Sequence, residues 1–265
     1  MRVNVFEGTA GYYGRYRPGL PAEAIALLAG AGSPTSRPRR LLDIGTGTGL
    51  VVKALLDRFD DIIALDADAE MLVVAETDLR PRLPPGVRLS LRHGAAEEFM
   101  PPQGWRADLV TFCRVFHWLD RPAVLARLNQ HVAPHGAVAV LADRSLWTST
   151  NPWQQAVRSV VQDFLGTQRR AGNGAFPATS EPFGQTLRAS AFSDVTETYV
   201  PVRRAWSADS VLGYLYSTSF AAPHLFGDRR DRFEAAVKQI LAYFSDTDTF
   251  VEDNTFVIHL GRRPA

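Results

Sequence analysis

The apolar residues of this chain fall into short solid runs separated by stretches with helical spacing. The runs "RLLDI" (40–44), "DIIALD" (61–66), "VRLSLRHG" (87–94), "DLVTFC" (108–113) and "AVAVLAD" (137–143) have strand length and are bounded by turn residues. "LPAEAIALLAG" (20–30) precedes them as a helix, with Leu20, Ile25 and Leu28 near helical spacing, Pro21 in its first turn and Gly30 at its end. "LVVKALLDRF" sets Val51, Val52, Leu55, Leu56 and Phe59 on one helical face, and "DADAEMLVVAETDL" reads as the next helix. Asp120 and Pro122 open another, through Leu125 and Leu128. Strand alternating with helix predicts an α/β fold with a doubly wound, mostly parallel sheet.

Beyond Asp143 the rhythm changes. "NPWQQAVRSVVQDFLG" is a helix with Trp153, Val157, Val160, Val161 and Phe164 on one side, followed by a Gly- and Pro-rich loop (171–184). "DVTETYVPV" (194–202) alternates like a strand, 207–220 and 231–244 read as helices, and "NTFVIHLGRR" closes the chain as a strand. Seven strands result. The expected organisation is a ligand-binding core over 1–144, a helical insertion over 145–192 covering a pocket, and the remainder of the core over 193–265.

Composition narrows the class. With 46% hydrophobic and 22% charged residues the chain can bury a full core. The single cysteine, Cys113, rules out an internal disulfide and suits a reducing compartment. No run approaches the roughly 20 apolar residues of a membrane span, and the N-terminus lacks the apolar stretch of a secretory signal. The expectation is a soluble, cytoplasmic protein. Lys and Arg number 29 against 28 acids, so no global charge draws it to nucleic acid or to a membrane. Lys53 and Lys238 are the only lysines. Arginine is therefore the default cation here, which weakens any reading of Arg37, Arg39 and Arg40 as a built patch.

The chemistry starts at "LLDIGTGTGL" (41–50), where a buried strand breaks into glycines as it hands over to a helix. In doubly wound sheets, ligands sit outside the carboxyl ends of the strands, beside such a turn. The spacing separates three ligand classes. A phosphate loop needs GxxxxGK[ST], and here Leu50 and Val51 stand where Gly and Lys belong. A dinucleotide turn needs GxGxxG; Gly45 and Gly47 fit, but Leu50 takes the last place. What remains is Asp43-x-Gly45-x-Gly47-x-Gly49. Asp66 ends the second strand, where an acid can accept from both hydroxyls of a ribose; it or Asp68 can instead cap the following helix. In "GAAEEF" (94–99) the Ala96 N–H and the Glu97 carboxylate can frame a base, or Glu97 can be a solvated surface acid.

"LLDIGTGTG", "IIALDADAEML", "HGAAEEF", and "ADLVTFCRVFHWLD" followed by "VAPHGAVAVLAD" resemble, in order, motifs of the class I S-adenosylmethionine-dependent methyltransferases. The branch it is most similar to also has an N-terminus like "YYGRYRPGLP" and a His-Trp pair after the fourth strand. The resemblance implies the Rossmann-like methyltransferase fold, with S-adenosyl-L-methionine as cofactor and S-adenosyl-L-homocysteine as product. It implies that Gly45, Thr46 and Gly47 border the methionyl part, that Gly49 permits close helix packing, and that Asp43 orients the loop. Asp66, beside Ala67, would hold the ribose, and Ala96 and Glu97 would flank the adenine. Ala95 stands where many relatives carry an acid. Cys113, Arg114 and Val115 would line the cofactor from the fourth strand, and Tyr13 and Arg17 would fold over it, Arg17 facing its carboxylate. Tyr13 and Arg17 can equally belong to an aromatic packing segment.

Transfer from a sulfonium needs in-line placement above all, but a protonated acceptor must lose its proton. His117 in "FHWLD" is the candidate base, since imidazole titrates near neutrality; the alternative is that His117 and Trp118 only pack the loop. No metal constellation stands out: His131 and His135 lie four apart, but Pro134 and Gly136 argue for a loop instead of a helix. Ser145, Ser217 and Ser219 lack a nucleophile-elbow context. Many aromatics in the C-terminal half, among them Tyr199, Trp206, Tyr214, Tyr216, Phe220, Trp147, Trp153 and Phe183, suit a core, with a few left to line an acceptor site. The expected reaction is methyl transfer to an O or N atom of a small molecule, a secondary metabolite by family analogy. For an amine substrate, Asp143, Glu181 and Asp246 are candidate receivers. A cofactor-binding protein without turnover and a nicotinamide-dependent oxidoreductase are the alternatives.

Overall fold

The computed structural model describes residues 5–32, 37–176 and 181–264. Helices α1 (Ala10–Tyr16) and α2 (Ala22–Ala29) lead into an alternation of β1 (Arg40–Ile44), α3 (Leu50–Leu55), β2 (Asp61–Asp66), α4 (Ala69–Leu79), β3 (Arg88–His93), β4 (Ala107–Cys113), α5 (Arg121–Leu128) and β5 (Val132–Asp143). There follow α6 (Pro152–Leu165), the small strands β6 (Arg170–Ala171) and β7 (Gly174–Ala175), α7 (Phe183–Arg188), β8 (Asp194–Trp206), α8 (Ala208–Tyr216), α9 (Arg230–Ala242) and β9 (Phe250–Arg262). Part of the loop expected over 171–184, residues 177–180, lies outside the described residues.

Seven strands form one sheet in the order β3-β2-β1-β4-β5-β9-β8. β1 pairs in parallel with both β2 and β4, Leu42 lying opposite Ile63 on one side and Val110 on the other, and β3 and β5 extend the parallel run. The chain thus winds outward from β1 in one direction and from β4 in the other, which opens a crevice at their carboxyl ends. The burial pattern follows position. β1 and β4 are buried almost throughout, as central strands covered on both faces must be, whereas "RLSLRH" of β3 is more polar and sits at the edge.

Several boundaries differ from expectation: β8 runs on to Trp206, β9 starts at Phe250 and α3 stops at Leu55, and two further cases have a visible local cause. β5 begins at Val132, so His135 lies in a strand, not in a loop. The reason is a register shift: Val132 pairs with Ala107 and Ala137 with Leu109, and the irregularity takes in Pro134, which has no N–H for a regular ladder. α8 stops at Tyr216, four residues early. The Ser217 and Thr218 hydroxyls donate to the carbonyls of Tyr214 and Leu215, the local side-chain competition that ends helices.

The chain separates into two compact units. A sheet unit comprises Gly19–Ala142, Thr179–Val200 and Phe256–Ala265; a helical unit comprises Met1–Pro18, Asp143–Ala178 and Pro201–Thr255. The expected limits at 144/145 and 192/193 do not coincide with these, because β8 and β9 are each 13 residues long and contribute to both units. Each unit has its own core. In the first, Leu42, Ile44, Leu65, Phe112, Phe116, Val138 and Phe192 pack together; in the second, Trp153, Val157, Leu215, Tyr216, Phe226, Phe233 and Leu241 do so. Most of the C-terminal aromatics are thereby consumed, though Tyr199 remains 61% exposed. Among the described residues no helix is long and apolar enough to cross a membrane, and no group of three or more His, Cys, Asp or Glu is placed to hold a metal ion.

Candidate functional site

The turn after β1 is fixed by main-chain bonds to β2. The N–H groups of Gly45 and Thr46 both donate to the Leu65 carbonyl, at 2.8 and 3.0 Å, and the Gly47 N–H donates to Asp66 Oδ2 at 2.7 Å. Gly45 has φ +68° and Gly49 +82°, a region that L side chains enter only at a cost. A Cβ on Gly45 would overlap the Val115 side chain, and one on Gly49 would come within 2.6 Å of Leu79 Cδ1. The first glycine therefore lets the loop meet the end of β4, and the last lets the start of α3 pack on α4.

Asp43 sits beneath this loop, buried, with Oδ1 accepting from the Thr111 hydroxyl at 2.6 Å. Burial pushes its carboxyl up to about 6, against the Thr111 hydrogen bond and the nearby Thr46 hydroxyl, while the charge of Asp66 adds to the rise. The Thr46 hydroxyl influences Asp43 without reaching hydrogen-bonding geometry: Asp43 Oδ2, Thr46 Oγ1 and Thr48 Oγ1 are all buried without a partner within the chain. Three unsatisfied buried polar atoms in one turn are unusual in a native fold.

Asp66 ends β2 with both oxygens engaged, Oδ2 by Gly47 and Oδ1 by the Asp68 N–H at 2.9 Å. Burial raises its pKa, and those two N–H donors work in the opposite direction. The helix-capping role falls to Asp68, whose Oδ1 accepts from the Glu70 N–H at the start of α4. Asp66 is thus a held carboxylate, and each of its oxygens keeps a further lone pair. Ala67 follows in the turn, its carbonyl 3.1 Å from His93 Nε2.

The remaining predicted residues of the sheet unit lie on the loops after β3 and β4. Ala96, buried, opens a single 3₁₀ turn (Ala96–Glu98), and Glu97 Oε1 accepts from the Asp120 N–H at 3.2 Å, so this acid ties the two loops. Cys113 is half-buried at the end of β4. Arg114 has φ +58°, a left-handed conformation rare for a non-glycine residue; its N–H donates to the Leu141 carbonyl at 2.9 Å and its guanidinium lies 5.8 Å from the Phe256 ring centroid. Val115 packs on Gly45. His117 belongs to the 3₁₀ turn Phe116–Trp118, with its ring 4.9 Å from that of Trp118.

Asp43, Gly45, Thr46, Gly47, Asp66, Ala67, Ala96, Glu97, Cys113, Arg114, Val115 and His117 therefore all belong to the sheet unit, whereas Tyr13 and Arg17 belong to the helical unit. There Arg17 stacks on Tyr13 and Tyr214. Thr111 and Thr48 were not singled out by sequence reasoning. The signal for Thr111 is its polarity inside the otherwise apolar "DLVTFC".

Comparison with known proteins places this arrangement. Residues 41–136, from β1 into β5, match the methyltransferase-domain family. An uncharacterised methyltransferase of Mycobacterium tuberculosis is 35% identical over 136 residues, 51% of either chain, and the trans-aconitate 2-methyltransferase of Methylobacterium radiotolerans is 30% identical over 186 residues, 69% of this chain and 65% of that one. The chain thus spans about half the length of the first of these curated relatives. In fold it is similar to a type II methyltransferase candidate from Anaeromyxobacter dehalogenans, with a TM-score of 0.59 and 20% identity over 94% of this chain and 98% of that one. A glycine turn braced by the acid of β2, a sheet wound outward from β1 and β4, and these likenesses lead to one conclusion: residues 41–136 form a methyltransferase domain of the class I, S-adenosylmethionine-dependent type.

Proposed function

We propose that the protein transfers a methyl group from S-adenosyl-L-methionine to an O or N atom of a small molecule. The observation that carries this reading is the Gly45–Gly47 turn bonded to the Asp66 carboxylate, above a buried Asp43. The unsatisfied Asp43 Oδ2 and the Thr46 and Thr48 hydroxyls suit a ligand that brings its own polar groups to the turn, as an amino-acid-bearing nucleoside does. In this reading Asp66 accepts from the ribose hydroxyls while its two N–H partners hold it in place. Gly45, Thr46 and Gly47 border the methionyl part, Ala67, Ala96 and Glu97 flank the base, and Cys113, Arg114 and Val115 line the far side.

S-adenosyl-L-methionine, when bound, supplies a methyl group on a positively charged sulfur, already activated for in-line displacement. The protein's own part is positioning, for which well-oriented intramolecular reactions reach effective molarities of about 10⁵–10⁸ M. A hydroxyl or ammonium acceptor also needs a receiver for its proton, and His117, on the loop after β4, takes that role. A small acceptor is supported by the relative named for trans-aconitate and by the balance of 29 cations against 28 acids, which offers no field for a nucleic acid.

The test is calorimetry followed by turnover. The protein should bind S-adenosylhomocysteine in the micromolar range and leave NAD unbound, and one member of an acceptor library should gain a methyl group by mass spectrometry. Binding of NAD alone overturns the proposal, and binding without any methylated product favours a cofactor-binding protein without turnover.

A further inference from the structure

Two arginines of the helical unit, Arg17 and Arg169, combine a buried Nε that has no hydrogen-bond partner with the lack of an acidic partner among the described residues. Arg17 is stacked between the rings of Tyr13 and Tyr214, 4.9 Å from each centroid, and its Nη2 donates to the Ser217 carbonyl at 3.1 Å. Arg169 lies 3.8 Å from the centroid of Phe176 and 5.6 Å from that of Phe220. The Nε of each is buried without a hydrogen-bond partner, and among the described residues neither is ion-paired. The contrast within the same unit is Arg204, which reaches Asp143 at 3.0 Å and Glu252 at 3.5 Å.

The two lone cations share one neighbourhood. Burial pushes the Arg169 guanidinium down to about 10; Tyr214 opposes that fall and the charge of Arg17 adds to it. Tyr214, on which Arg17 stacks, accepts the Leu146 N–H at 3.5 Å through its hydroxyl, so its own proton is available to a ligand. Ser145, one residue earlier, has a buried hydroxyl without a partner. Arginine does not shed its proton at physiological pH, so burial of Arg169 among aromatic rings, with the charge of Arg17 nearby, carries a desolvation cost that an anion would offset. The guanidinium fork matches the paired oxygens of a carboxylate or phosphate, and the tyrosine and serine hydroxyls add neutral donors.

We infer that Arg17, Arg169, Tyr214 and Ser145 form an oxyanion site within the helical unit that takes a carboxylate or phosphate group of an organic ligand, whose body packs on Phe176 and Phe220. The inference rests on the geometry of the helical unit and stands apart from the methyltransferase reading. It also removes the amine substrate from consideration on the Asp143 side, since that acid is already neutralised by Arg204.

The experiment titrates the full chain with citrate, succinate and inorganic phosphate, with and without S-adenosylhomocysteine, by calorimetry and melting temperature. At least one of the three anions should bind and raise the melting temperature. The order between the carboxylates and phosphate identifies the group. Arg169→Met should weaken that anion at least tenfold, leave the S-adenosylhomocysteine dissociation constant unchanged, and melt no lower than the wild type without anion, because it removes an unpaired buried charge. Absence of anion binding in the wild type, or equal binding by Arg169→Met, overturns the site. Parallel loss of S-adenosylhomocysteine affinity in Arg169→Met also overturns it, by making the cofactor's own carboxylate the anion. If S-adenosylhomocysteine does not bind the wild type while an anion does, the methyltransferase reading fails and the oxyanion site stands.

Discussion

Thr111 reaches across from β4 to donate its hydroxyl proton to Asp43 of β1 at 2.6 Å, the two residues lying opposite each other one pair before the end of the β1–β4 ladder. That bond favours the ionised carboxylate, yet burial outweighs it and lifts the Asp43 carboxyl to about 6. The folded chain then holds this proton more tightly than the unfolded chain does. The stability contributed by the group is complete below about pH 4 and is lost as pH rises through about 6. Asp43→Asn keeps an acceptor for Thr111 but does not titrate. Relative to wild type, it should therefore gain about 1–3 kcal/mol between pH 4 and pH 8. Urea unfolding at several pH values measures this; a difference that does not change with pH contradicts it.

Gly45 and Gly86 share a positive φ but differ in surroundings. A Cβ on Gly86 meets nothing within 4 Å, whereas one on Gly45 overlaps Val115. Gly86→Ala should therefore cost about 1–2 kcal/mol for backbone conformation alone. Gly45→Ala should cost about 1–3 kcal/mol more from overpacking, and should abolish S-adenosylhomocysteine binding. Equal stability of the two variants would refute the close approach of the loop to Val115.

Arg114 holds a left-handed conformation at the end of β4. Both Arg114→Ala and Arg114→Gly discard the guanidinium, so the difference between them reports the backbone. The glycine variant should be more stable by about 1 kcal/mol in chemical denaturation. If alanine is the more stable, the strain assigned to this position is absent.

His117→Gln removes the candidate base and retains a polar side chain of similar reach. Turnover of a hydroxyl or ammonium acceptor should fall by about 10²-fold or more, with the dissociation constant of S-adenosylhomocysteine nearly unchanged. A kcat equal to wild type at every pH would leave His117 as packing for Trp118.

The central strands and the glycine turn were legible in the sequence because local forces decide them. "RLLDI" and "DIIALD" are solid apolar runs between turn residues, and they form β1 and β2 at those bounds. The start of β5 was hidden because Pro134 and Gly136 read as breakers, while the bulge that absorbs them depends on pairing with β4. Asp66 and Asp68 are both acids ahead of a helix, and only the bonds from Gly47 and Glu70 assign them different tasks. Arg169 gave no signal at all in "GTQRRAGNG": its isolation from acids arises from rings at Phe176 and Phe220, the latter 51 residues away in sequence. The composition of the helical unit is equally non-local, as the Arg17 bond to Ser217 spans 200 residues.

The most direct measurement is the dissociation constant of S-adenosylhomocysteine for Asp66→Ala against wild type, with circular dichroism to establish that the variant is folded. A charge-assisted pair of hydrogen bonds to the ribose is worth about 1.5–3 kcal/mol, so affinity should fall by about 10- to 150-fold. A folded Asp66→Ala protein that binds as tightly as wild type would contradict the role given to the acid at the end of β2, and with it the site built around the glycine turn.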